Sequence, residues 1–323
     1  MTDQERERLI LNSIWSKIAD PSEFTTRRPL LAHYTSIATL EKIVQHKELW
    51  FSNPLFMNDM QELQYGINLG ETALYQSQTL KNACGDQHRY QILIEEFQRC
   101  LNNFRFEHYF DTYALCFSEH DQARDSDGLL SMWRGYGNHG NGAAIVIDSA
   151  KINPIDGTSL LLGNVHYGTS TQREGWVRER IEIFSKCIES MRIPTEHLKT
   201  AAFAIFERIK LFAIFSKHDG FSEEREWRAV YVKEQDRSSI FSGMLSYSLG
   251  PRGIEPKLKL SLGPTPGWPG LDLSLANIVN KIVLGPSLSS PMMIKSVHRM
   301  LDSHGISELK ERITASTTPY RNT

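Results

Sequence analysis

The chain has 323 residues, of which 40% are hydrophobic and 23% charged, and its formal net charge is −2. Such a composition supports a buried core but gives no global attraction to nucleic acid, so any such contact needs a local basic patch. No apolar run approaches the roughly 18 residues a membrane helix needs, and the charged N-terminus lacks a signal-peptide core, so the expectation is a cytoplasmic chain without a membrane partner. Cys84, Cys100, Cys116 and Cys187 are widely spaced with no CxxC pair, which argues against a structural zinc site and a disulfide framework.

Residues 1–29 form an N-terminal segment in which Leu9, Ile10, Ile14, Trp15 and Ile18 recur at helical spacing over 4–19. "RPLLAHYT" reads as a buried strand. Ser36 is placed to cap the next helix, whose apolar stripe is Ile37, Leu40, Ile43 and Val44. "ELWFS" is a second strand, "NPLFMND" a turn, and helices are expected over about 59–81 and 87–104. "TYALCFSE" (112–119) and "GAAIVID" (142–148) are strands bracketing a loop in which Gly135, Gly137, Gly140 and Gly142 turn tightly. Helical patterns return at 172–190 and 195–218. Strands follow at 226–233, 257–262 and 280–285, then a late helix in "SPMMIKSVHRMLDSHG" and a last strand in "ISELKERI". The Pro/Gly-rich 262–272 reads as a loop. The expected fold is α+β: after the N-terminal segment, residues 30–323 form a single domain with a central mixed or antiparallel sheet and helical insertions at about 59–105 and 171–218.

His33, His46, His120, His139, His166 and His218 are scattered without a metal-binding spacing, so no metal is expected. A nucleophile elbow and a Walker loop are both missing. The densest chemistry is "KHDGFSEEREWRAVYV", where Glu224 and Glu226 stand two apart at a strand start and are expected on one face. The competing reading is a solvated turn of surface ion pairs among Glu223, Glu224, Arg225, Glu226 and Arg228.

Taken in order, "HYTS", "LWFSNPLFMNDMQE", "ALCFSE", "MWRGYGNHGNGAAIVID", "EREWR" and "IVLGP" resemble a bacterial family of domains of unknown function over about residues 31–286. Members of that family are often associated with defence or toxin loci. More distantly, the chain resembles ADP-ribosyltransferases, whose first strand carries a histidine, the second an aromatic residue and a later one a glutamate. That resemblance implies an ADP-ribosyltransferase-like sheet and NAD as co-substrate. Residue by residue, His33 matches the motif histidine, Thr35 or Ser36 the small polar residue after it, Trp50 or Phe51 the aromatic, and Glu226 the catalytic glutamate. Tyr34 stands where many members have glycine, and Glu224-x-Glu226 is similar to the paired glutamates of the arginine-modifying branch.

The resemblance thus implies Glu226, His33 and Glu224 as catalytic residues. The NAD-binding set is His33, Tyr34, Thr35, Ser36, Trp50, Phe51, Ser52 and Asn58. Breaking the nicotinamide–ribose bond passes through an oxocarbenium-like state that a carboxylate stabilises. Arg134, Lys217 and Arg228 are expected to contact the pyrophosphate or an acceptor phosphate and Trp133 and Tyr136 to stack on acceptor bases, with Arg124, His139 and Arg225 at the rim. Nucleic acid, RNA or DNA, is favoured as acceptor because cations beside aromatic platforms hold single strands. An antitoxin or inhibitor protein is a candidate partner. The alternatives are a non-catalytic nucleotide- or nucleic-acid-binding module and a metal-independent nuclease using Glu224, Glu226, His33 and Lys217. The competing reading of the individual residues is structural: His33 as a core or capping histidine, Trp50 and Phe51 as core, Asn58 and Asp59 as a helix cap, Trp133 and Tyr136 as loop anchors, and the arginines as partners of Asp121, Asp125, Asp127 and the glutamates.

Overall fold

A computed structural model describes residues 2–18, 27–57, 60–152, 160–236, 239–250, 253–264 and 272–320. In chain order its helices and strands are α1 (Asp3–Ile18), β1 (Leu30–Ser36), α2 (Ile37–His46), β2 (Glu48–Ser52), α3 (Met60–Gln76), α4 (Gln78–Ala83), α5 (Gln87–Asn103) and β3 (Thr112–His120). Then come α6 (Leu130–Gly135), β4 (Gly142–Asp148), β5 (Leu160–Asn164), β6 (His166–Gly168), α7 (Ser170–Met191), α8 (Leu198–Phe215), β7 (Ser216–His218) and β8 (Glu226–Val232). The last are β9 (Leu245–Gly250), β10 (Gly253–Ser261), α9 (Leu275–Ile278), β11 (Val279–Leu284), α10 (Pro291–Ser303) and β12 (Ile313–Ala315).

The chain forms two compact units. One combines 1–24, 54–111 and 165–221, and the other 25–53, 112–164 and 222–323. The first gathers the N-terminal helix and both helical insertions. Its centre is α8, "LKTAAFAIFERIKLFAIF", a mostly apolar helix buried on nearly every side that also buries Glu207, Arg208 and Lys210. The expected helix over 59–81 is two helices, because Ser77 leaves helical geometry and accepts a hydrogen bond from Leu80 N, starting α4. Charges inside this unit are matched: Arg173 meets Glu62 at 2.7 Å and lies 4.5 Å over the Tyr65 ring, and Lys210 meets Glu207 at 2.7 Å.

The second unit holds a mixed sheet of ten strands among the described residues, with the path β12-β11-β4-β1-β3-β2-β10-β9 and β8 and β5 branching from β3. Strand β3 is the hub. One of its edges pairs with β8 from Thr112 to Ser118. The other pairs with β1 at Ser118–His120 and with β2 at Ala114, so β1 and β2 diverge around Cys116. Ser36 ends β1 and caps α2, its hydroxyl accepting from Thr39 N at 3.1 Å, and Leu40, Ile43 and Val44 are buried as the stripe requires. The main core covers the face carrying Leu31, Leu115, Phe117, Ile145, Trp227 and Tyr231, and a smaller cluster of Ala32, Tyr34, Met132, Trp133, Ala144 and Val146 covers the other.

The expected last strand in "ISELKERI" forms later. Residues 307–312 are a 3-10 turn, and Ile313–Ala315 pairs parallel with β11. β8 has no solvent-facing side, because it lies between β3 and β5 and all seven of its residues are buried. Of the glycine loop, the stretch before Gly135 is helical, and Asn138, His139 and Gly140 are the positions with positive φ.

At Gly142 an added Cβ would fall onto the Thr35 carbonyl oxygen and lie 2.7 Å from that of Gly137, whereas at Gly135 it would meet nothing within 4 Å. Gly142→Ala is therefore expected to lower stability by about 1–3 kcal/mol or more and Gly135→Ala to leave it nearly unchanged, as read by chemical denaturation.

Candidate functional site

Directly paired residues on neighbouring strands share a face of a sheet. Ala32 pairs with Ser118, and Ser118 with Glu226, so these three share one face with Tyr34, two residues along β1 from Ala32. His33 lies on the opposite face, where its ring meets Phe117 edge-on with centroids 5.9 Å apart. The two residues expected to act together on NAD, His33 and Glu226, thus point to opposite sides of the sheet.

On the Glu226 face the side chains are buried and polar. Arg228, two residues along β8, grips both Glu226 oxygens, Nε to Oε1 at 2.8 Å and one terminal nitrogen to Oε2 at 3.0 Å. Both residues are buried, which excludes the solvated reading for this pair. A bidentate guanidinium–carboxylate pair fixes the direction of the carboxylate. Ser118, directly across from Glu226, and His120, next on the same face of β3, are also buried. The Ser118 hydroxyl and His120 Nε2 have no hydrogen-bond partner among the described residues. Burial, reinforced by the charge of Lys281, pushes the His120 imidazole down to about 4, against opposing pulls from Asp125 and Asp121. The Tyr34 hydroxyl accepts from Leu129 N at 2.8 Å, and burial raises its pKa to about 12.

Beside this face runs an open groove of about 560 Å³ lined by Leu129, Leu130, Ser131, Arg134, Ser222, Glu223 and Arg225. Its volume falls within the range of small-molecule sites. Arg225 meets Asp125 at 2.6 Å. Its φ of 44° is the reason Glu224 and Glu226 do not share a strand face as expected. Glu224 ends a 3-10 turn, Asp219–Glu224, and the chain reverses handedness at Arg225 before β8 begins, so the two-residue alternation does not reach back. Glu224 instead accepts a hydrogen bond from the Tyr136 hydroxyl at 3.0 Å.

On the opposite face, His33 lines a smaller cavity of about 160 Å³ with Thr39, Lys42, Ile43, Glu48, Leu49 and Trp50. Its Nδ1–H donates to the Cys116 carbonyl at 3.0 Å, bridging the divergence of β1 and β2, and burial holds its pKa below the ordinary value. Trp50 is the aromatic of this cavity. Its indole N–H donates to Glu48 at 2.9 Å, and Lys259 Nζ sits 4.4 Å over its ring. Phe51 is buried in the main core. Thr35 is buried, Ser36 is the α2 cap, and Ser52 accepts from Lys257 at 2.8 Å. Asn58 lies outside the described residues.

Trp133, expected as an exposed stacking platform, is wholly buried. It packs edge-on against Tyr34, and its indole N–H donates to the Asp127 carbonyl at 2.9 Å. It anchors the loop, while Tyr136 is the exposed ring. Lys217 belongs to the other unit, where it is buried with Nζ 4.6 Å from the Phe221 ring. Arg124 is exposed 3.6 Å from Asp121, and His139 is exposed. Sequence reading missed Ser118 and His120 as members of the site. Their signal was two polar residues at i and i+2 at the end of β3, where the mostly apolar "YALCF" gives way to "SEH". The described residues contain no group of three or more His, Cys, Asp or Glu suited to a metal ion.

The depressed His120 pKa has a consequence for stability. The folded chain stays neutral at His120 down to about pH 4, while the unfolded chain takes up a proton near the ordinary value of 6.5. The stability this group contributes is full above pH 6.5 and is lost as pH falls from about 6.5 to about 4, with His33 adding in the same sense. Melting curves are expected to show a lower midpoint at pH 5 than at pH 7.5, and His120→Gln is expected to reduce that difference.

The model of a family described as proteins of unknown function, DUF2971, matches residues 132–229. The matched stretch runs from Met132 in α6 through β4 and β5 to Ala229 in β8, and it includes Trp133, Arg134, Tyr136, Glu224, Glu226 and Arg228. No curated protein and no solved structure matches the chain.

Proposed function

We propose that the chain transfers ADP-ribose from NAD to an acceptor, with the reacting ribose held on the Glu226 face of the sheet. The observation that carries this reading is the buried carboxylate of Glu226, clamped by Arg228, facing an unpartnered Ser118 hydroxyl and one residue away from the groove-lining Arg225. Loss of nicotinamide leaves positive charge on the ribose ring, and a rigid, ionised carboxylate in a dry setting opposes that charge without reorganising. Arg228 holds the carboxylate in a fixed orientation. Ser118 and His120 supply hydrogen-bonding atoms that otherwise stay unpaired at a cost. Arg134 and Arg225 offer cations for the pyrophosphate.

In this reading the catalytic set is Glu226 with Arg228, Ser118 and His120 around it, and His33 has a structural role across the fork of β1 and β2. Glu224, tied to Tyr136 at the surface, is left for the acceptor. The acceptor proposed is nucleic acid, RNA or DNA, supported by an open groove with two arginines and the exposed Tyr136 ring beside it. The setting proposed is that of a bacterial toxin or defence effector inside the cell.

One observation favours a second reading. Both Glu226 oxygens are engaged by Arg228, as they would be in a nucleotide-binding module that does no chemistry. Turnover separates the two. Incubation with NAD carrying a labelled adenylate, together with RNA and DNA oligonucleotides, is expected to release nicotinamide and label the oligonucleotide. Glu226→Gln is expected to reduce nicotinamide release by roughly two to three decades, with the fold checked by its melting curve. Binding of NAD without nicotinamide release would favour the module, and a folded Glu226→Gln variant with full turnover would remove Glu226 from the chemistry.

A further inference from the structure

Most of the arginines around the Glu226 face have acidic partners: Arg225 pairs with Asp125, Arg228 with Glu226 and Arg124 with Asp121. Arg134 is different. It is exposed, lines the groove, and among the described residues pairs with no carboxylate; its guanidinium lies over the ring of Tyr320 with 5.5 Å to the centroid.

The segment that brings Tyr320 there is fixed at several points. Ser316 N donates to the Leu284 carbonyl at 2.8 Å, continuing the alignment of β12 along β11, and Thr317 N donates to the Asp127 carboxylate. Asp127 also takes the Trp133 indole N–H on its own carbonyl, so one residue ties this segment to the buried anchor of α6. Gly140, at φ +80°, presents its backbone to the Tyr320 ring; a Cβ there would stand 2.8 Å from Tyr320 and 3.2 Å from Pro286. The close approach needs glycine for both its conformation and its lack of a side chain. Arg134 follows Trp133 directly, so its backbone is rigid and the freedom left to it is that of its long side chain.

We propose that Tyr320 is a positioning residue for Arg134, and that the segment Ser316–Tyr320 thereby completes a phosphate-binding site in the groove. The ring face holds the guanidinium by cation–π attraction without neutralising its charge, so the cation stays more available to an incoming anion than one paired with a carboxylate, such as Arg225. The phosphate part of this inference rests on the groove reading above, whereas the positioning of Arg134 does not.

Phenylglyoxal, which modifies arginine, separates the two when adduct formation is read at Arg134 by peptide mass spectrometry. With Tyr320→Ala, modification of Arg134 is expected to be about two- to five-fold faster than in the unaltered chain, the range a surface cation–π contact gives. Tyr320→Phe keeps the ring and is expected to match the unaltered chain. Tyr320→Leu keeps the packing against Gly140 but loses the ring face, and is expected to behave like Tyr320→Ala. Equal rates in all four proteins, or a Tyr320→Leu variant that behaves like the unaltered chain, would overturn the positioning role. Inorganic pyrophosphate is expected to protect Arg134 in the unaltered chain and less so in Tyr320→Ala. Absence of protection in the unaltered chain would overturn the phosphate site, with the rate comparison still deciding what Tyr320 does.

Discussion

The bidentate contact between Glu226 and Arg228 constrains everything around it. Two opposite charges removed from water are tolerable only when geometry is good and the surroundings are rigid. Here both sit on one strand at i and i+2, on the same face, and that strand is held on both edges by β3 and β5. The sharp turn at Arg225 follows from the same demand. The chain must leave the exposed 3-10 turn and enter the buried strand within one residue, and the left-handed conformation at Arg225 does so. Removal of Arg228 alone would strand a buried carboxylate.

The second organising feature is the fork at β3. Because β1 and β2 share one edge of β3 and then separate, the sheet has two distinct polar regions on opposite faces. His33 fills the fork by donating to the Cys116 carbonyl, a backbone acceptor that neither β1 nor β2 reaches by its own ladder. Its neutral ring and its contact with Phe117 are the marks of a histidine serving the sheet. Across the sheet, Ser118 and His120 carry polar atoms without a hydrogen-bond partner among the described residues, and unpaired buried atoms are where a ligand or water gains most.

Much of this was legible in the sequence. The strands "ELWFS" and "GAAIVID" run over the residues read for them, and Ser36 caps α2 as its position before an apolar stripe requires, because these signals are local. The break at Ser77 was missed because apolar spacing continues across it, while a single hydroxyl decides where one helix stops and the next starts. The face of Glu224 was misread because alternation holds only inside a strand, and a non-glycine residue at positive φ carries no sequence mark. Trp133 was read as a stacking platform because it stands beside Arg134 in a glycine-containing loop. Those glycines instead let the chain close around the indole: Cβ atoms at Gly128 and Gly137 would both collide with it. The opposition of His33 and Glu226 depends on the register of three strands far apart in sequence, which no local pattern encodes.

The proposed chemistry requires the ribose to sit on the Glu226 face of the sheet. The most direct measurement is a crystal structure of the protein with ADP-ribose. A ribose hydroxyl within hydrogen-bonding distance of Glu226, with the pyrophosphate near Arg134 or Arg225, is the result the account expects. Ligand seated in the His33–Trp50 cavity, with the Glu226–Arg228 pair untouched behind the sheet, would contradict it.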